Sequence, residues 1–548
     1  MGEGDKPAEP DRLRGAQWLA LIAALLGWLF DGAEMGVFSM VGRPAVADLF
    51  GYHEPTLTEA HNQDVGFWFN VVIAGFLVGA ATGGVLFGWL GDRIGRVRAM
   101  ALSILVYALF TGACGVVAGV PQLLAMRFIA SLGMGGEWSL GVALVMEVWP
   151  NRSRAFMAGL IGAAANFGYM LVGFVGLGLA ALLGHMRGWL TGIGLADDHV
   201  ALLLSHHGWR IMMLLGTAPA ILTLFIRLSV PESGRWEEER KKGATTGWAT
   251  RDLLGVLIGT LGPALIILVW TLQWPAELPT AVVIALRVLG TVLGLVIVTV
   301  GYCYPVARFL QRHADEKGRK GEGEKGRIAI GSPSPFLPFS PSAFSHPTLR
   351  LMLLAACLSG IALLGTWGST QQVPSWADKL TQPEQRAKEF TQIALAAGAI
   401  VGSILAALAG DWLGRRITYC LLCGSSLISV LVLFLGQHEY GPAFLVYAFV
   451  VGGCTASFYG WLPLYLPELF RTNVRATGQG FGYNFGRILA AVGTLNAGTL
   501  FRFPAAKIGP IEVAGGYPLA CTALSAVYLI GIAIIWLAPE TKGQPLPE

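Results

Sequence analysis

Apolar runs of about 20 residues recur along the whole of this 548-residue chain, and they restrict its possible folds more than any other feature. A run of that length crosses roughly 30 Å of hydrocarbon as a helix. Within a bilayer only helices and closed barrels satisfy every backbone hydrogen bond. Hydrophobic residues form 54% of the chain and charged residues only 13%, against about 25% charged residues in soluble globular proteins. The sequence therefore predicts an all-α polytopic membrane protein.

A sliding-window reading of hydropathy predicts about 14 spans. Their approximate limits are 16–41, 67–90, 99–119, 122–149, 155–183, 208–230, 252–272, 281–306, 349–370, 391–412, 417–436, 442–466, 476–500 and 516–538. Lys and Arg concentrate in alternate connections, whereas connections such as 51–64 and 273–280 carry few of them. Basic connections face the cytoplasm. We therefore expect both termini to be cytoplasmic, in a plasma membrane of the bacterial inner-membrane type.

Two pairs of motifs repeat in the same order along the chain. GWLGDRIGRVR at 88–98 is echoed by ALAGDWLGRR at 407–416, and EVWPNRSRAFMAG at 147–159 by ELFRTNVRATGQG at 468–480. Such recurrence indicates two related halves. The predicted organisation is a cytoplasmic tail (1–15), a six-helix bundle (16–230), linkers (231–348) with an inserted helix pair (about 252–272 and 281–306), a second six-helix bundle (349–538) and a cytoplasmic tail (539–548). Parallel repeats of this kind place a substrate site near the midplane, between the halves.

The segment 88–98 resembles the loop signature of the major facilitator superfamily, through Gly88, Asp92, Arg93, Gly95 and Arg96. PESGRW at 231–236 and PETKG at 539–543 fit the same family. DGAE, SLGMGGEW and RATGQGFGYNFG are most similar to sialate:proton and metabolite:proton symporters. The resemblance implies the major facilitator fold, two six-helix bundles with two extra helices between them, and proton-driven uptake of an organic anion. Departures from that pattern are Ala33 in place of an aromatic residue, Glu34 in place of Asp, and Arg487 in place of a small residue.

The resemblance also implies which residues control the conformational switch without contacting the substrate. These are Gly88, Asp92, Arg93, Gly95, Arg96, Glu147, Arg154, Asp411, Arg415, Glu468 and Arg475. Asp92 is expected to stabilise the outward-facing state through a basic residue on the span that opens at Arg475. An acid near a helix N-terminus is electrostatically favourable, which supports this placement.

Three acids lie inside predicted spans, where an ionised side chain costs roughly 2.5–3.5 kcal/mol on insertion scales and so indicates function. Asp31 and Glu34 are three residues apart in the first span and share a helical face, and Glu137 lies in the fourth. We expect these acids to carry the coupled proton, because neighbouring carboxylates in a low dielectric favour a shared proton. The alternatives are that Asp31 or Glu34 only pairs with Arg127 to hold two helices together, and that Glu137 only braces its helix.

Two intramembrane bases are candidates for binding an anionic substrate, Arg127 and Arg487. A guanidinium binds a carboxylate through two parallel hydrogen bonds. Arg487 and Asn166 occupy equivalent positions of the repeat, each twelve residues after its paired Arg, so we expect them to face each other across a central cavity. The alternative for Arg487 is an ion pair with an acid of the first half. Further candidates on spans expected to line the cavity are Tyr169, Asn484, Trp138, Tyr459 and Gln371.

Three classes of protein fit some of these features: a secondary transporter, a sensor built on a transporter fold, and a membrane-embedded enzyme. The sequence has no His-Glu-x-x-His motif and no phosphate-binding loop, so we expect no enzyme activity, no metal and no cofactor. The expected partners are a small-molecule substrate, protons and the lipid bilayer, without nucleic acid, and we expect a monomer. Within transporters, the alternative to an organic-anion symporter is a sugar:proton symporter, which would not need Arg487 in the cavity.

Overall fold

The computed structural model describes residues 15–52, 58–150, 153–245, 247–272, 274–275, 277–321, 346–381, 385–500, 504–508 and 511–548. The predicted tail 1–15, apart from its last residue, lies outside these residues. So does the part of the predicted linkers (231–348) that spans residues 322–345. Twelve helical stretches in the described part are long and apolar enough to cross a membrane. The predicted all-α polytopic class is confirmed. The predicted number of 14 spans is only approximate, because 208–230 and 476–500 each contain two shorter helices rather than one.

In the first half of the chain, the described residues form seven α-helices. They are α1 (Gly15–Leu49), α2 (Glu59–Ile94), α3 (Arg96–Ala113), α4 (Val120–Val148), α5 (Arg154–Gly192), α6 (Asp197–Leu215) and α7 (Pro219–Ser229). The chain turns between α2 and α3 at Gly95, whose φ of 112° is accessible to glycine but strained for other residues. α6 is interrupted at residues 205–208, where His206, His207 and Gly208 all have positive φ.

Four helices follow in the region between the halves: α8 (Gly234–Lys241), α9 (Leu253–Gly259), α10 (Leu261–Thr271) and α11 (Thr280–Gly321). α9 and α10 pack closely on α11. A Cβ on Gly262 of α10 would lie only 2.3 Å from the carbonyl oxygen of Gly294, and a Cβ on Gly259 of α9 only 2.7 Å from the ring of Tyr302. The hydroxyl of Tyr302 on α11 is 2.6 Å from that of Thr82 on α2, and both side chains are buried. The inserted pair thus lies on the outside of the helices that meet between the halves, with large apolar side chains such as Leu257 exposed.

The described residues of the second half form ten α-helices and one short hairpin. The helices are α12 (Pro347–Gly368), α13 (Val373–Lys379), α14 (Ala387–Leu413), α15 (Arg415–Gly436), α16 (Pro442–Thr455), α17 (Phe458–Tyr465), α18 (Arg475–Asn484), α19 (Gly486–Leu500), α20 (Tyr517–Ser525) and α21 (Val527–Ile534). Strands β1 (Ala506–Ile508) and β2 (Ile511–Val513) pair antiparallel, with Ala506 opposite Val513. Gly414 repeats the role of the glycine before α3, with a φ of 95° before α15.

The two halves meet through helices that approach each other at backbone distance. A Cβ on Gly480 of α18 would lie 2.2 Å from the carbonyl oxygen of Gly84 on α2. A Cβ on Gly162 of α5 would lie 2.4 Å from the carbonyl oxygen of Tyr459 on α17. Small residues allow membrane helices to pack this closely. The largest buried apolar cluster accordingly contains residues of both halves, among them Trp138 and Tyr483.

Candidate functional site

Helix α4 carries three buried ionisable residues at regular intervals, and they define three levels of the candidate site. Arg127, Glu137 and Glu147 are each ten residues apart, which corresponds to about 15 Å along a helix. Their exposed fractions are 1%, 1% and 6%. We call the side of the molecule that carries the α2–α3 and α14–α15 turns the latch face. Glu147 lies at the latch face, Glu137 in the middle, and Arg127 towards the opposite face.

At the latch face, Asp92 connects the end of α2 to the first turn of α18. Its Oδ1 accepts hydrogen bonds from Nη1 of Arg96 (2.8 Å) and from the backbone N–H of Ala476 (3.2 Å). Its Oδ2 accepts from the backbone N–H (2.9 Å) and the hydroxyl (2.6 Å) of Thr477. The first N–H groups of a helix have no intrahelical acceptor and carry partial positive charge. Asp92 therefore holds the two halves together through a helix N-terminus.

Glu147 supplies the ion pair between the halves. Its Oε1 lies 2.8 Å from Nη1 of Arg475 and 3.1 Å from Nη2 of Arg96, and all three side chains are buried. The sequence predicts that Asp92 acts through a basic residue on the span that opens at Arg475. In the structure Asp92 contacts this span, but its partner there is not a basic side chain. Arg475 points to Glu147, whereas Asp92 accepts from the N–H groups that the first turn of α18 leaves unpaired.

The second half repeats these contacts within itself. Nη2 of Arg415 lies 2.6 Å from Oε1 of Glu468, the hydroxyl of Thr541 donates to Oε2 of Glu468 (2.5 Å), and Glu540 accepts from the backbone N–H of Arg415 (2.9 Å). The corresponding contacts of the first half are made by Arg96, Glu147, Ser233 and Glu232. The segments 231–236 and 539–543 are therefore equivalent supports, one beneath each half.

The two halves differ in the acid that follows the repeated glycine. Asp92 is fully buried between the halves, whereas the side chain of Asp411 is 58% exposed and lies 3.9 Å from Arg415 of its own half. Arg154, the counterpart of Arg475, is buried, but among the described residues its Nε has no hydrogen-bond partner. Among the described residues, the first-half copy of the motif makes a direct ion pair across the interface, whereas Arg154 lies within electrostatic range of Glu468 of the other half.

Other residues of the loop motif shape the same contact. A Cβ on Gly88 would lie 2.6 Å from the carbonyl oxygen of Ala476, so this glycine lets α2 approach α18. Arg93 donates a 2.6 Å hydrogen bond to the hydroxyl of Thr250, in the segment that leads into α9. The motif therefore also contacts the region that precedes the inserted pair.

Towards the opposite face, Glu34 and Arg127 form an ion pair between α1 and α4. The guanidinium carbon of Arg127 lies 4.1 Å from the ring centre of Phe38 and 4.5 Å from that of Phe76. The hydroxyl of Thr111 donates to the same oxygen of Glu34 (3.5 Å). Aromatic faces stabilise a cation further once water is excluded. This arginine is therefore enclosed by protein groups, although its Nε has no hydrogen-bond partner among the described residues. Substrate binding by Arg127 stays a prediction.

At the middle level, Asp31 and Glu137 of the first half face Arg487 of the second. Asp31 lies within electrostatic range of Glu137 and Arg487. Oδ1 of Asp31, both carboxyl oxygens of Glu137, and Nε and Nη1 of Arg487 have no hydrogen-bond partner among the described residues. A Cβ on Gly27 would lie 1.7 Å from a carboxyl oxygen of Glu137, so this glycine makes room for the acid beside α1. Two acids and one base thus meet midway, with hydrogen-bonding capacity unused.

Aromatic rings surround this group of charges. Trp138 of α4 and Tyr483 of α18 stack face to face, with ring centres 3.7 Å apart and planes 4° from parallel. The guanidinium carbon of Arg487 lies 5.6 Å from the centre of the Tyr483 ring. Trp28 of α1 packs against Trp138 at 5.9 Å. Aromatic rings from both halves therefore line the middle level.

The remaining predicted polar residues are largely committed to other partners. The amide nitrogen of Asn166 donates to the carbonyl oxygen of Gly162 in its own helix (2.9 Å), so Asn166 does not pair with Arg487. The amide nitrogen of Asn484 donates to the carbonyl oxygens of Gly135 (3.0 Å) and Gly480 (3.1 Å).

Three further candidates lie at the interface of the halves. The hydroxyl of Tyr169 donates to Oε1 of Gln371 (3.2 Å), a contact between α5 and the second half. Tyr459 lies within electrostatic range of Tyr483 and Arg487. Of the three, only Tyr459 adjoins the middle level.

Sequence reasoning missed Tyr107 of α3. Its side chain is 1% exposed, and its hydroxyl has no hydrogen-bond partner among the described residues. It lies within electrostatic range of Glu137, Asp31 and Glu34. A tyrosine in the middle of an apolar span was the available signal, because a buried hydroxyl normally finds a partner. In the described part of the chain, no three His, Cys, Asp or Glu side chains lie together as a metal site would require.

Comparisons with known proteins agree with this architecture. The family model described as the Major Facilitator Superfamily matches residues 24–494. The niacin transporter of Acinetobacter baylyi is 26% identical over 535 residues, which cover 95% of this chain and 93% of that protein. The sialic acid transporter NanX of Escherichia coli is 26% identical over 227 residues, 41% of this chain and 47% of that protein.

A likeness also exists to solved structures. The proton:xylose symporter XylE, in its complex with 6-bromo-6-deoxy-D-glucose, superposes with a TM-score of 0.61 at 19% sequence identity. The match covers 97% of this chain and 98% of that one. At this level of identity the likeness concerns the fold alone.

Proposed function

This chain belongs to the major facilitator superfamily and is a membrane transporter rather than an enzyme, and we propose that it is a proton-coupled symporter that takes up a small organic anion. The relatives named for niacin and for sialic acid both concern carboxylic acids, which supports an anionic substrate. The lipid bilayer, protons and this substrate are the partners proposed, and the active unit is a monomer.

The observation that carries the proposal is the state of Arg487. Its side chain is 7% exposed, it comes from the second half, and two of its nitrogens lack hydrogen-bond partners among the described residues. A buried guanidinium with unused donors is costly unless a ligand completes it. A carboxylate matches its paired donors in geometry and charge. The substrate anion therefore binds Arg487 at the middle level, between the halves.

Asp31 and Glu137 provide the coupling to protons. Without substrate, the positive charge of Arg487 favours the ionised form of the nearby acids. A bound anion neutralises that charge, and two adjacent buried carboxyl groups then favour one shared proton over two negative charges. Binding of the anion and binding of the proton thus promote each other, as reciprocal linkage requires. Glu34 and Arg127 neutralise each other and fix α1 to α4.

Alternating access follows from the contacts at the latch face. Asp92 and Glu147 bind α18 in the state described here, which closes this face. The basic connections assign the latch face to the cytoplasm, with both termini on that side of the plasma membrane. In the cycle, the substrate and the proton bind from the outside, and the contacts of Asp92 and Glu147 with α18 then break. The latch face opens, and the substrate is released to the cytoplasm.

The test is flux into proteoliposomes that contain the purified protein. A panel of radiolabelled carboxylic acids and sugars is supplied with an inward pH gradient, with and without a protonophore. We expect a carboxylic acid to accumulate, and the protonophore and Arg487→Gln each to abolish accumulation. Accumulation of a neutral sugar that Arg487→Gln leaves intact would instead identify a sugar:proton symporter. Folding of the variant is checked by its elution as a single species on size exclusion.

A further inference from the structure

We propose that the substrate is a planar conjugated carboxylate whose ring binds against Tyr483 and Trp138 while its carboxylate binds Arg487. This inference rests on the proposed function, because it requires an anion at Arg487. It goes further by excluding polyhydroxylated acids and sugars as the preferred class. Three features of the middle level carry it: the geometry of the aromatic stack, the position of the guanidinium, and two indole N–H groups without partners among the described residues.

The stack of Trp138 on Tyr483 lies between the two halves of the transporter. Trp138 belongs to α4 and Tyr483 to α18, and their rings are nearly parallel at 3.7 Å. When the halves rock apart, this contact has to break, and both ring faces lose their partner. Stacked rings contribute about 0.5–1.5 kcal/mol beyond simple burial. A planar ligand restores that contact on both faces, whereas a puckered saturated ring does so poorly.

The guanidinium lies beside the same ring. Its carbon is 5.6 Å from the centre of the Tyr483 ring. A carboxylate held by Arg487 therefore lies beside a ring face. A ligand whose carboxylate is attached directly to a flat ring occupies both positions at once, without turning about a flexible linker.

The amide donors expected at this site are engaged, because the amide nitrogens of Asn166 and Asn484 donate to backbone carbonyls and Tyr169 is bonded to Gln371. The acceptors without partners among the described residues include the carboxyl oxygens of Asp31 and Glu137, which carry the coupled proton in the proposed function. The indole N–H groups of Trp28 and Trp138 have no partner among the described residues, and both side chains are at most 3% exposed. Two such donors suit a carboxylate or one ring heteroatom.

The experiment is calorimetric titration of the purified full-length protein at pH 7 with four probes. Benzoate and cyclohexanecarboxylate have the same carboxylate and the same number of ring carbons, but only benzoate is planar. N-acetylneuraminate and D-xylose represent hydroxyl-rich ligands with and without a carboxylate. We expect benzoate to bind about 3- to 10-fold more tightly than cyclohexanecarboxylate, the ratio that stacking energies of that size produce. We expect N-acetylneuraminate and xylose to bind more weakly than either.

Two variants assign the preference to the stack. Tyr483→Leu is expected to bring the ratio of the two dissociation constants close to one, and Tyr483→Phe to retain most of it. Phe434→Leu is the matched control, because it removes a ring from another buried stack, 4.8 Å from Trp376 and within the second half. It should leave the ratio unchanged.

The outcomes separate the two proposals. Equal affinity for benzoate and cyclohexanecarboxylate, or tightest binding of N-acetylneuraminate, would overturn the planar class and leave an organic-anion symporter intact. Binding of xylose alone would overturn both. A ratio that persists in Tyr483→Leu would also contradict the assignment to this stack.

Discussion

Glu147 and Arg475, 328 residues apart in the chain, form a fully buried ion pair with a separation of 2.8 Å between Oε1 and Nη1. The equivalent acid of the second half, Glu468, pairs with Arg415 of its own half, as Glu147 also does with Arg96. Across the interface, however, Glu468 lies only within electrostatic range of Arg154. The repeated motif is therefore asymmetric, with a direct ion pair between the halves in its first copy and a longer-range interaction in its second.

Neutralising the acid of this pair is expected to loosen the latch face. In Glu147→Gln, Arg475 keeps its hydrogen bonds to carbonyl oxygens but loses its counter-charge, and breaking a buried pair costs about 3–5 kcal/mol. Hydrogen–deuterium exchange in peptides spanning 88–98 and 472–482 should rise at least ~10-fold, which is about 1.4 kcal/mol of opening free energy. Asp411→Asn, at the exposed counterpart of Asp92, should leave exchange unchanged. Equal effects of the two variants would contradict the asymmetry.

Asp31→Asn and Glu137→Gln are each expected to uncouple transport. Without one carboxyl group of the pair, anion binding no longer takes up a proton, so accumulation driven by a pH gradient should disappear while counterflow exchange persists. Calorimetry in buffers of different ionisation enthalpy measures the proton uptake directly. The unaltered protein should take up about one proton per bound anion and each variant none. Undiminished proton uptake in both variants would place the coupling elsewhere.

The pair of Glu34 and Arg127 is expected to act in stability rather than in coupling. Glu34→Gln leaves a buried guanidinium between two rings without a counter-charge, so the Tm in detergent should fall. The double variant Glu34→Gln, Arg127→Met removes both charges and should recover most of the lost Tm. A double-mutant cycle on thermal unfolding gives the coupling free energy, which for groups in direct contact is about 0.5–3 kcal/mol. Additive losses would mean that the two side chains do not stabilise each other.

Gly27→Ala is expected to displace Glu137 and reduce proton-driven accumulation. The new methyl group would lie 1.7 Å from a carboxyl oxygen of Glu137, too close to be accommodated without movement of that side chain. Gly178→Ala is the matched control, since it lies on a helix of the same half and its Cβ would meet no atom within 4 Å. The control should keep full transport and gain stability, by up to about 1 kcal/mol from helix propensity. Full accumulation by Gly27→Ala would show that this contact is unimportant.

Docking of the segment 539–543 is expected to weaken at acidic pH. Burial tends to raise the pKa of Glu540, but the backbone N–H groups of Arg415, Arg416 and Lys542 donate to it and hold its pKa below the usual 4.5. Stability from such a group is present above its unfolded-state pKa and is lost as the pH falls through the folded-state pKa. Limited proteolysis after residue 538 should therefore accelerate below about pH 4.5, and Glu540→Gln should be susceptible already at pH 7.

Much of the architecture was predictable from local features of the sequence. The length of the apolar runs predicted the membrane class and the segment 88–98 indicated the superfamily, and both are confirmed. The repeated motifs predicted two related halves. Several predicted spans are each divided into two helices, among them 208–230 and 476–500. The breaks at residues 216–218 and at Phe485 interrupt apolar runs that hydropathy alone reads as continuous.

The partner of each buried charge could not be read from the sequence. Asp31 and Glu34 lie about 60° apart around the axis of α1, so a small rotation of the helix decides which acid meets Arg127 and which meets Arg487. That rotation is set by close packing, such as the contact of Gly32 with the backbone of Ala165. The sequence by itself determined that acids and bases are buried inside the membrane. The tertiary structure decided their pairing, because pairing depends on helix orientation, which only long-range packing fixes.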